Sequence, residues 1–324
     1  AFKDFGARFM ARVMEHFVST EDSKLTILVA TSGDTGSAVA NGFLDVEGID
    51  VIILYPKNKV SNIQEKQLTT NGKNITALEV DGSFDDCQSL VKSAFVDRDL
   101  RGSMNITSAN SINISRLIPQ SFYYVNSLKY IDNIVFSVPS GNFGNLTAGI
   151  FAKAMGFNIS RFVASTNIND VFPKYLKNKI FTPKPSVETI SNAMDVGNPS
   201  NIRRLNTIFS NSVSQINQEI LSWSYSDKQT LEALKFVHES CGYILDPHGA
   251  VGYLGARSYL KKFGSDGKVV VLGTAHPSKF IDSIEALDIS VPIPDQVKEV
   301  LNKKKLAVSM SKTYSNFKDY ILSR

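Results

Sequence analysis

The sequence is poor in the side chains that most often bind metals or form disulfides. It contains two cysteines and four histidines in 324 residues. Cys87 and Cys241 are too few for a disulfide framework and favour a reduced compartment, so we expect a cytoplasmic protein. The histidines are scattered along the chain, at His16, His238, His248 and His276. No metal site is therefore expected.

Charge is spread along the chain rather than concentrated. The sequence has 35 Lys and Arg against 31 Asp and Glu, a net charge of +4. A protein that binds nucleic acid usually gathers its basic residues on one face, and this sequence has no such cluster. Its apolar runs are all shorter than the ~20 residues that a helix needs to cross a bilayer. We expect a globular protein that acts on a small molecule, with no nucleic acid and no membrane as partner.

Several common catalytic fingerprints are also absent. No strand-like run is followed by Gly-x-Gly-x-x-Gly, which binds dinucleotides, or by Gly-x-x-x-x-Gly-Lys-Ser/Thr, which binds nucleotide phosphates. No Gly-x-Ser-x-Gly marks a serine nucleophile. Dehydrogenase, nucleotide-hydrolase and acyl-transfer chemistry therefore have no support in these motifs.

The residues that are present indicate a phosphate site. An apolar run at residues 134–138 leads through Pro-Ser-Gly-Asn-Phe-Gly-Asn into an alanine-rich segment that ends near Met155. This order predicts a strand, a glycine loop and a helix. Gly141 and Gly144 allow positive φ angles, so successive main-chain N–H groups can converge beside the positive end of the helix. The loop is interpreted either as such a phosphate site or as an ordinary tight turn.

The same alternation recurs along the chain. Buried strands are predicted at residues 25–30, 51–54, 75–80, 134–138, 162–164 and 269–272. Helices are predicted at residues 4–17, 38–43, 60–70, 84–96, 213–223, 227–238 and 250–262. Strands separated by helices pair in parallel, so the predicted fold class is α/β and doubly wound, with ligands at the carboxyl ends of the strands. Residues 181–201 are rich in Pro and Gly and are predicted to form a long ordered loop.

Two α/β domains are expected from this pattern. The smaller one, residues 1–125, carries the Ser-Gly-Asp-Thr-Gly loop, and the larger one, residues 126–324, carries the phosphate loop. The first helix, within residues 1–20, is assigned to the smaller domain, with packing on the larger one as the alternative. A phosphate site without a nucleotide fingerprint suits pyridoxal phosphate, provided that a lysine holds the cofactor aldehyde as a Schiff base.

Six motifs follow one another over almost the whole chain. They are Ala-Phe-Lys-Asp-Phe-Gly-Ala-Arg-Phe-Met at residues 1–10, Thr-Ser-Gly-Asp-Thr-Gly-Ser-Ala at 31–38, Ser-Ala-Asn-Ser-Ile-Asn at 108–113, Ser-Gly-Asn-Phe-Gly-Asn at 140–145, Ser-Asn-Ala-Met-Asp-Val-Gly-Asn-Pro-Ser-Asn at 191–201 and Gly-Thr-Ala-His-Pro-Ser-Lys-Phe at 273–280. In this order they resemble the threonine synthases. One such motif would be a weak signal, whereas six in sequence are a strong one.

The resemblance implies a fold, a cofactor and a reaction. The fold is that of the fold type II pyridoxal-phosphate enzymes, with the active site in the cleft between two α/β domains. The reaction converts O-phospho-L-homoserine and water to L-threonine and phosphate through aldimine chemistry, by γ-elimination and then addition of water at Cβ. Lys3 is by this analogy the Schiff-base lysine and the general acid and base. Its neighbours Phe2 and Phe5 at the start of a helix suit a neutral, nucleophilic amine.

The resemblance also suggests binding roles for other residues. The cofactor phosphate is expected on the N–H groups of Gly141, Asn142, Phe143, Gly144 and Asn145, and the pyridine nitrogen on Thr274. The substrate carboxylate is expected on Ser32, Gly33, Asp34 and Thr35. The polar cluster Asn110, Ser111, Asn113 and Arg116 is a candidate for the substrate phosphate. Arg116 is interpreted either as a phosphate ligand or as an ordinary surface residue of a helix.

Two alternatives to this function stay open at the level of sequence. One is another fold type II lyase, of the serine or threonine dehydratase or cysteine synthase type, and the other is a noncatalytic protein that binds a phosphorylated metabolite. The chain also begins at Ala1-Phe2-Lys3 without a methionine, while family members have a substantial segment before the lysine motif. We therefore expect that a segment is missing and that this chain alone lacks full activity.

Overall fold

The computed structural model describes residues 2–18, 24–131, 133–264 and 268–324. The chain forms two compact units. One consists of Lys3–Arg116 and Ile293–Arg324, and the other of Phe2 and Leu117–Pro292. Each unit contains one parallel sheet covered by helices. No helix in the described part of the chain combines the length and the apolar character that crossing a membrane requires.

The elements alternate along both units. In the described residues the strands are β1 (Leu25–Ala30), β2 (Ile49–Pro56), β3 (Ile75–Val80), β4 (Asn105–Ser108), β5 (Ile134–Pro139), β6 (Ile159–Thr166), β7 (Ile220–Ser224), β8 (Lys268–Val271) and β9 (Ala307–Met310). The α-helices are α1 (Phe2–Val18), α2 (Asp34–Phe43), α3 (Asn62–Thr69), α4 (Phe84–Val96), α5 (Arg98–Ser103), α6 (Ser121–Ser127), α7 (Gly144–Ala154), α8 (Val171–Asn178), α9 (Ile202–Ile208), α10 (Val213–Glu219), α11 (Asp227–Cys241), α12 (Pro247–Phe263), α13 (Ile281–Glu285), α14 (Asp295–Leu301) and α15 (Tyr314–Leu322). Short 3₁₀ helices are formed by Ile114–Arg116, Asn192–Met194 and Pro277–Phe280.

The first unit has the strand order β4-β1-β2-β3-β9, and all neighbours in it are parallel. β1 and β2 are buried along almost their whole length because helices cover both faces of the sheet, which is why they are continuous apolar runs. Helix α1 buries Ala7, Met10 and Ala11 in the core of this unit, together with side chains of α2 and of the sheet.

The second unit has the strand order β7-β6-β5-β8, again with parallel neighbours. Its core is rich in aromatic residues: Phe136 and Phe162 lie on adjacent strands with their rings stacked 6.3 Å apart, and Tyr124 of α6 meets the edge of Phe136 at 4.8 Å. Tyr124 therefore belongs to the core of this unit.

Most of the predicted elements are confirmed. Residues 25–30, 75–80 and 84–96 form two strands and a helix with the predicted bounds. The predicted helix at residues 213–223 is wrong in its second half, because α10 ends at Glu219 and the chain continues as β7 beside β6. The long loop at residues 181–201 contains one 3₁₀ turn and is otherwise irregular.

The compact units differ from the predicted domain boundaries at the C-terminal end. The sequence assigned residues 126–324 to one domain, whereas the strand β9 lies in the first unit and pairs with β3. The ammonium of Lys305 strengthens this attachment, since its Nζ lies 2.6 Å from Glu79 Oε1 and 2.8 Å from Glu65 Oε1. The segment after Ile293 thus completes the first sheet.

Gly255→Ala is expected to lower the free energy of unfolding by about 2–3 kcal/mol through overpacking. Helix α12 crosses β5 and β6 so closely that a Cβ at Gly255 would lie 1.8 Å from Ser165 Oγ and 2.9 Å from Ser137 Oγ. Urea unfolding measures the loss. Adding Ser165→Ala should recover part of it, and Gly102→Ala, with nothing within 4 Å of the new Cβ, should not destabilise the chain. Equal stability of Gly255→Ala and the unmodified chain would contradict this packing.

Candidate active site

The phosphate loop joins β5 to α7 in the second unit, as predicted. The structure corrects one expectation about it: neither Gly141 nor Gly144 has a positive φ angle, and Phe143 has φ 60° instead. The left-handed backbone conformation of Phe143 is stabilised by its side chain, which is buried and packs on Phe172 with ring centroids 4.5 Å apart. The side chain of Phe143 therefore belongs to the core, and only its main chain faces the loop.

Gly141 is required for a different reason, which is close approach. A Cβ at this position would lie 2.6 Å from Met194 Cα and 3.1 Å from the carbonyl oxygen of Ala193. The neighbour is backbone, which cannot rotate away as a side chain can. The loop is thus pressed against the 3₁₀ turn at Asn192–Met194.

The main chain of this loop fits a phosphate ester. The N–H groups of Gly141, Phe143 and Gly144 have no acceptor among the described residues. Two of these donors stand at the start of α7, an 11-residue helix whose positive end favours an anion. Free amides at a helix N-terminus are the donor set that a phosphate group takes, so the residues present fit the phosphate of pyridoxal phosphate.

Polar side chains fix the loop from behind. The side-chain oxygen of Asn142 accepts hydrogen bonds from the amide of Ser200, at 2.6 Å, and from its hydroxyl, at 3.0 Å. Asn201 Nδ2 donates to the main-chain oxygen of Asn142 at 2.9 Å, and Arg204 in turn donates to Asn201 Oδ1. The side-chain oxygen of Asn142 is therefore bound to the protein.

Asn145 is held in a similar way. The hydroxyl of the fully buried Tyr124 lies 2.9 Å from both the main-chain and the side-chain oxygen of Asn145. Burial raises the pKa of Tyr124 well above its usual value, so the phenol stays a proton donor to these oxygens. This contact fixes the first turn of α7 below the loop.

Thr274 lies in the second unit, a few residues after the end of β8. It is 7% exposed, and its main-chain oxygen accepts a hydrogen bond from the amide of Phe2 at 3.1 Å. The hydroxyl of Tyr123 donates to the main-chain oxygen of Phe2 at 2.6 Å. Phe2 is the residue immediately before Lys3, so its main chain is tied on both sides within the second unit.

In the first unit, Lys3 is paired with a buried carboxylate. Its Nζ lies 3.9 Å from Asp34 Oδ2, and the two side chains are 19% and 3% exposed. The other carboxylate oxygen of Asp34 accepts a hydrogen bond from Gln64 Nε2 at 3.2 Å, and Gln64 is fully buried. The sequence did not indicate what Asp34 contacts. It contacts the candidate catalytic amine.

The loop at residues 32–35 follows β1 and starts helix α2. Thr31 shapes it, because Thr31 Oγ1 accepts hydrogen bonds from the amides of Gly33, at 2.9 Å, and of Gly36, at 2.8 Å. Gly33 has φ 127°, and a Cβ there would lie 2.5 Å from Gln64 Cδ, so only glycine suits this position. Lys3 and this loop come together at the carboxyl end of β1, where ligands lie in sheets of this kind.

The members of the polar cluster proposed for the substrate phosphate have different roles in the structure. Asn110 continues the sheet with its side chain, since its Nδ2 donates to the main-chain oxygen of Ala30 at 2.7 Å and its Oδ1 accepts from the amide of Ala30 at 3.1 Å. Asn113 Nδ2 donates to the main-chain oxygen of Ser108, and its Oδ1 accepts from the amide and hydroxyl of Ser115. Both asparagines thus hold the loop that follows β4.

Arg116 and Ser111 are the other members of that cluster. Arg116 is 2% exposed, so its interpretation as a surface residue is wrong. One of its guanidinium nitrogens donates to the main-chain oxygen of Ala109. Ser111 is partly buried in the same loop. A cation this deeply buried beside the loop after β4 is costly to desolvate and therefore needs acceptors.

Sequence reasoning missed the residues that hold the 3₁₀ turn behind Gly141. Asp195 accepts hydrogen bonds from Asn167 Nδ2 at 2.8 Å and from the hydroxyl of Thr189 at 2.7 Å on one oxygen, and from the amide of Thr189 at 2.9 Å on the other. Burial outweighs these donors and raises the pKa of Asp195 to about 7. The motif at residues 191–201 contained this residue, but its partners lie up to 28 positions away in sequence.

Asp195→Asn is expected to flatten the pH dependence of unfolding. The folded pKa of Asp195 lies above its usual value, so this group stabilises the fold at low pH and loses that contribution as the pH rises through about 7. Between about pH 5 and about pH 7 the free energy of unfolding of the unmodified chain should fall relative to that of the variant by about 2 kcal/mol. Urea unfolding of both proteins at the two pH values measures this. A difference that does not change with pH would contradict the expected titration.

Comparison with known proteins identifies the family. Residues 1–275 match the family model described as pyridoxal-phosphate dependent enzyme, and residues 249–321 match the model described as threonine synthase, C-terminal. The curated threonine synthase of Haemophilus influenzae is 45% identical over 99% of this chain and 76% of its own length.

Solved structures agree. The crystal structure of threonine synthase from Escherichia coli superimposes with a TM-score of 0.91 at 40% identity, covering 100% of this chain and 75% of that one. The pyridoxal-phosphate-bound threonine synthase from Brucella melitensis has a TM-score of 0.89 at 31% identity, covering 99% of this chain and 75% of that one. These likenesses confirm the predicted fold type II architecture and the predicted cofactor.

Proposed function

The chain belongs to the threonine synthase family of pyridoxal-phosphate-dependent enzymes, and from this premise we propose that it converts O-phospho-L-homoserine and water to L-threonine and phosphate. The observation that carries the proposal is the match to the threonine synthase C-terminal model in a chain that also aligns over 99% of its own length with a curated threonine synthase. Family membership favours this function over a dehydratase, a cysteine synthase or a noncatalytic binding protein.

The residues of the second unit that would hold the cofactor are the phosphate loop and Thr274. The amides at Gly141, Phe143 and Gly144 would bind the phosphate, and the Thr274 hydroxyl would hydrogen-bond the pyridine nitrogen. A hydroxyl cannot keep that nitrogen fully protonated as a carboxylate would, so Thr274 should moderate electron withdrawal by the ring. When bound, the cofactor supplies an electron sink for the carbanion character that develops at the substrate carbons.

Lys3 is the proposed attachment point and proton carrier. A single amine would remove the Cα proton and then a Cβ proton, and phosphate would leave from Cγ. The amine would return one proton at Cγ and, after water adds its hydroxyl at Cβ, the other at Cα, while the second proton of water balances the released phosphate. Its place in the chain supports this role, because Lys3 directly follows Phe2, whose amide donates a hydrogen bond to the main-chain oxygen of Thr274. Asp34 holds the amine of Lys3 from one side and would limit the positions that it can reach.

The proposed substrate sites lie in the first unit. The carboxylate would bind to the loop of Ser32, Gly33, Asp34 and Thr35. Within this loop the amide of Gly33 donates to Thr31, and we assign the carboxylate to the start of α2, at Asp34 and Thr35, because a helix N-terminus favours an anion. The side chain of Asp34 is turned to Lys3 and Gln64 and takes no part in binding the carboxylate.

The substrate phosphate is assigned to Ser111 and Arg116. Burial of Arg116 supports this, because a buried guanidinium is a strong bidentate partner for a phosphate. Asn110 and Asn113 would act on the substrate only through the loop that they shape.

A cytoplasmic location stays a prediction from cysteine usage, and both Cys87 and Cys241 are free thiols.

The decisive experiment measures phosphate and threonine formation by the chain with and without added pyridoxal phosphate. O-phospho-L-homoserine should yield both products in equal amounts, and only with the cofactor. L-serine, L-threonine and O-acetyl-L-serine should yield no product, because none of them places a phosphate on Arg116. Turnover of any of these three in preference to O-phospho-L-homoserine would overturn the proposal in favour of another lyase of this fold.

A further inference from the structure

A histidine supports the turn that lies behind the phosphate loop. The amide of Ala193 donates a hydrogen bond to His248 Nε2 at 3.2 Å, across 55 positions of sequence. Ala193 is the middle residue of the 3₁₀ turn whose backbone sits where a Cβ of Gly141 would stand. His248 thus lies two contacts away from the loop that binds the phosphate.

The ring of His248 is held on its other side by a carboxylate. His248 Nδ1 lies 2.8 Å from Asp246 Oδ1, and both side chains are 3% exposed. The ring of Phe280 meets it edge to face, with centroids 4.8 Å apart. Asp246 is fixed in turn, because its carboxylate caps α12 by accepting hydrogen bonds from the amides of His248 and Gly249.

These contacts assign the tautomer. The amide of Ala193 can only donate, so Nε2 must carry a lone pair, and the ring proton of the neutral histidine must therefore be on Nδ1. A proton on Nδ1 faces Asp246 Oδ1, which accepts it. Carboxylate, imidazole and amide thus form one directed chain from the helix cap to Ala193.

The 3₁₀ turn at Asn192–Met194 is also held by Asp195, which limits how much is lost when its bond to His248 is removed. Asp195 ties the far side of the turn to Thr189 and Asn167. Loss of the bond from Ala193 to His248 would therefore loosen the turn without releasing it. A change of about tenfold in ligand affinity is the scale of one such hydrogen bond.

We propose that His248, oriented by Asp246, is a positioning residue that sets the phosphate loop through Ala193, Met194 and Gly141. The inference rests on the proposed function in that this loop is taken to bind the cofactor phosphate. His248 touches neither cofactor nor substrate in this role. Its contribution is to the affinity for pyridoxal phosphate and not to the proton transfers of the reaction.

Two substitutions at His248 separate its two hydrogen bonds. The amide oxygen of His248→Gln can reach the place of Nε2 and accept from Ala193, whereas the shorter His248→Asn reaches only the place of Nδ1 and keeps Asp246. Titrating the cofactor-free full chain with pyridoxal phosphate, followed by absorption, should give about tenfold weaker binding for His248→Asn. His248→Gln and the control His238→Asn on helix α11 should bind within about threefold of the unmodified chain.

Hydrogen exchange at the Ala193 amide in the cofactor-free chain gives an independent reading. We expect this amide to be protected in the unmodified chain and in His248→Gln and to exchange faster in His248→Asn. Unchanged affinity of His248→Asn, equal losses in both variants, or an unprotected Ala193 amide in the unmodified chain would each overturn the inference. If His248→Asn does not fold, protection of the Ala193 amide in the unmodified chain is the deciding measurement. If the chain binds pyridoxal phosphate but forms no threonine, only the proposed function is overturned. The inference about His248 can still be tested, because it is read from the affinity for pyridoxal phosphate.

Discussion

Lys3→Ala should abolish turnover, with kcat lower by about 10⁴-fold, while the fold is retained. The amine of Lys3 is the proposed attachment point and the only proton carrier assigned to the reacting carbons, so no neighbour replaces it. Asp34, which lies 3.9 Å from it, is a carboxylate and cannot form the covalent link. Phosphate release from O-phospho-L-homoserine measures the loss, and borohydride reduction followed by mass spectrometry shows whether the cofactor is still fixed to the chain.

Matched variants distinguish the chemical role of the Lys3 amine from the effect of its positive charge. Lys3→Arg keeps a cation beside Asp34 but has no primary amine, so it should lose turnover and covalent attachment as fully as Lys3→Ala. Lys24→Ala removes an exposed lysine that is paired with Asp50 and should behave as the unmodified chain. Borohydride labelling of another lysine in Lys3→Ala, together with retained turnover, would show that Lys3 was assigned wrongly.

The sequence predicts the inner strands of both sheets and the edge strand β8 well, whereas it misses the other three edge strands among the described residues. β1 and β3 are buried on both faces, which forces a continuous apolar run that can be read directly. The strands β4, β7 and β9 stand at sheet edges and are partly exposed. With one edge open, such a strand needs no apolar run, and for this reason the sequence pattern predicts residues 220–223 as the end of a helix although they form most of β7.

The candidate site was predictable where it is local. The phosphate loop could be found from its glycines between a strand and a helix, although the reason for Gly141 is contact with Met194 and not a positive φ angle. Lys3 could be assigned only by resemblance, since its apolar neighbours are compatible with the role but do not by themselves single it out among the lysines. The partnership of Ala193 with His248 depends on how two distant segments fold together, and no periodicity or spacing encodes it.

The asparagines show the limit of reading roles from residue types. Asn110 and Asn113 looked like substrate ligands because they are polar and cluster before a helix. In the structure Asn110 completes the end of β1 and Asn113 holds the main chain after β4. An asparagine side chain can bond a main-chain N–H and a main-chain carbonyl at the same time. It can therefore pair with the end of a parallel strand as readily as it can bind a ligand.

Gly141→Ala is expected to weaken binding of pyridoxal phosphate by about 100-fold or more, because the added Cβ cannot be accommodated without moving backbone. It would lie 2.6 Å from Met194 Cα. The 3₁₀ turn that carries Met194 is tied by His248 and Asp195, so the loop, which carries free amides, is the part that must shift. Amides displaced from a phosphate lose both their hydrogen bonds and the benefit of the α7 N-terminus.

The titration of the cofactor-free chain with pyridoxal phosphate measures this loss, and two controls define its origin. Gly102→Ala adds a Cβ with nothing within 4 Å and should leave the affinity unchanged. Gly255→Ala disturbs the contact of α12 with the sheet, so it should lower stability more than affinity. If Gly141→Ala bound the cofactor as tightly as the unmodified chain, the phosphate could not depend on the amides of residues 141–144, and the cofactor would have to be held elsewhere.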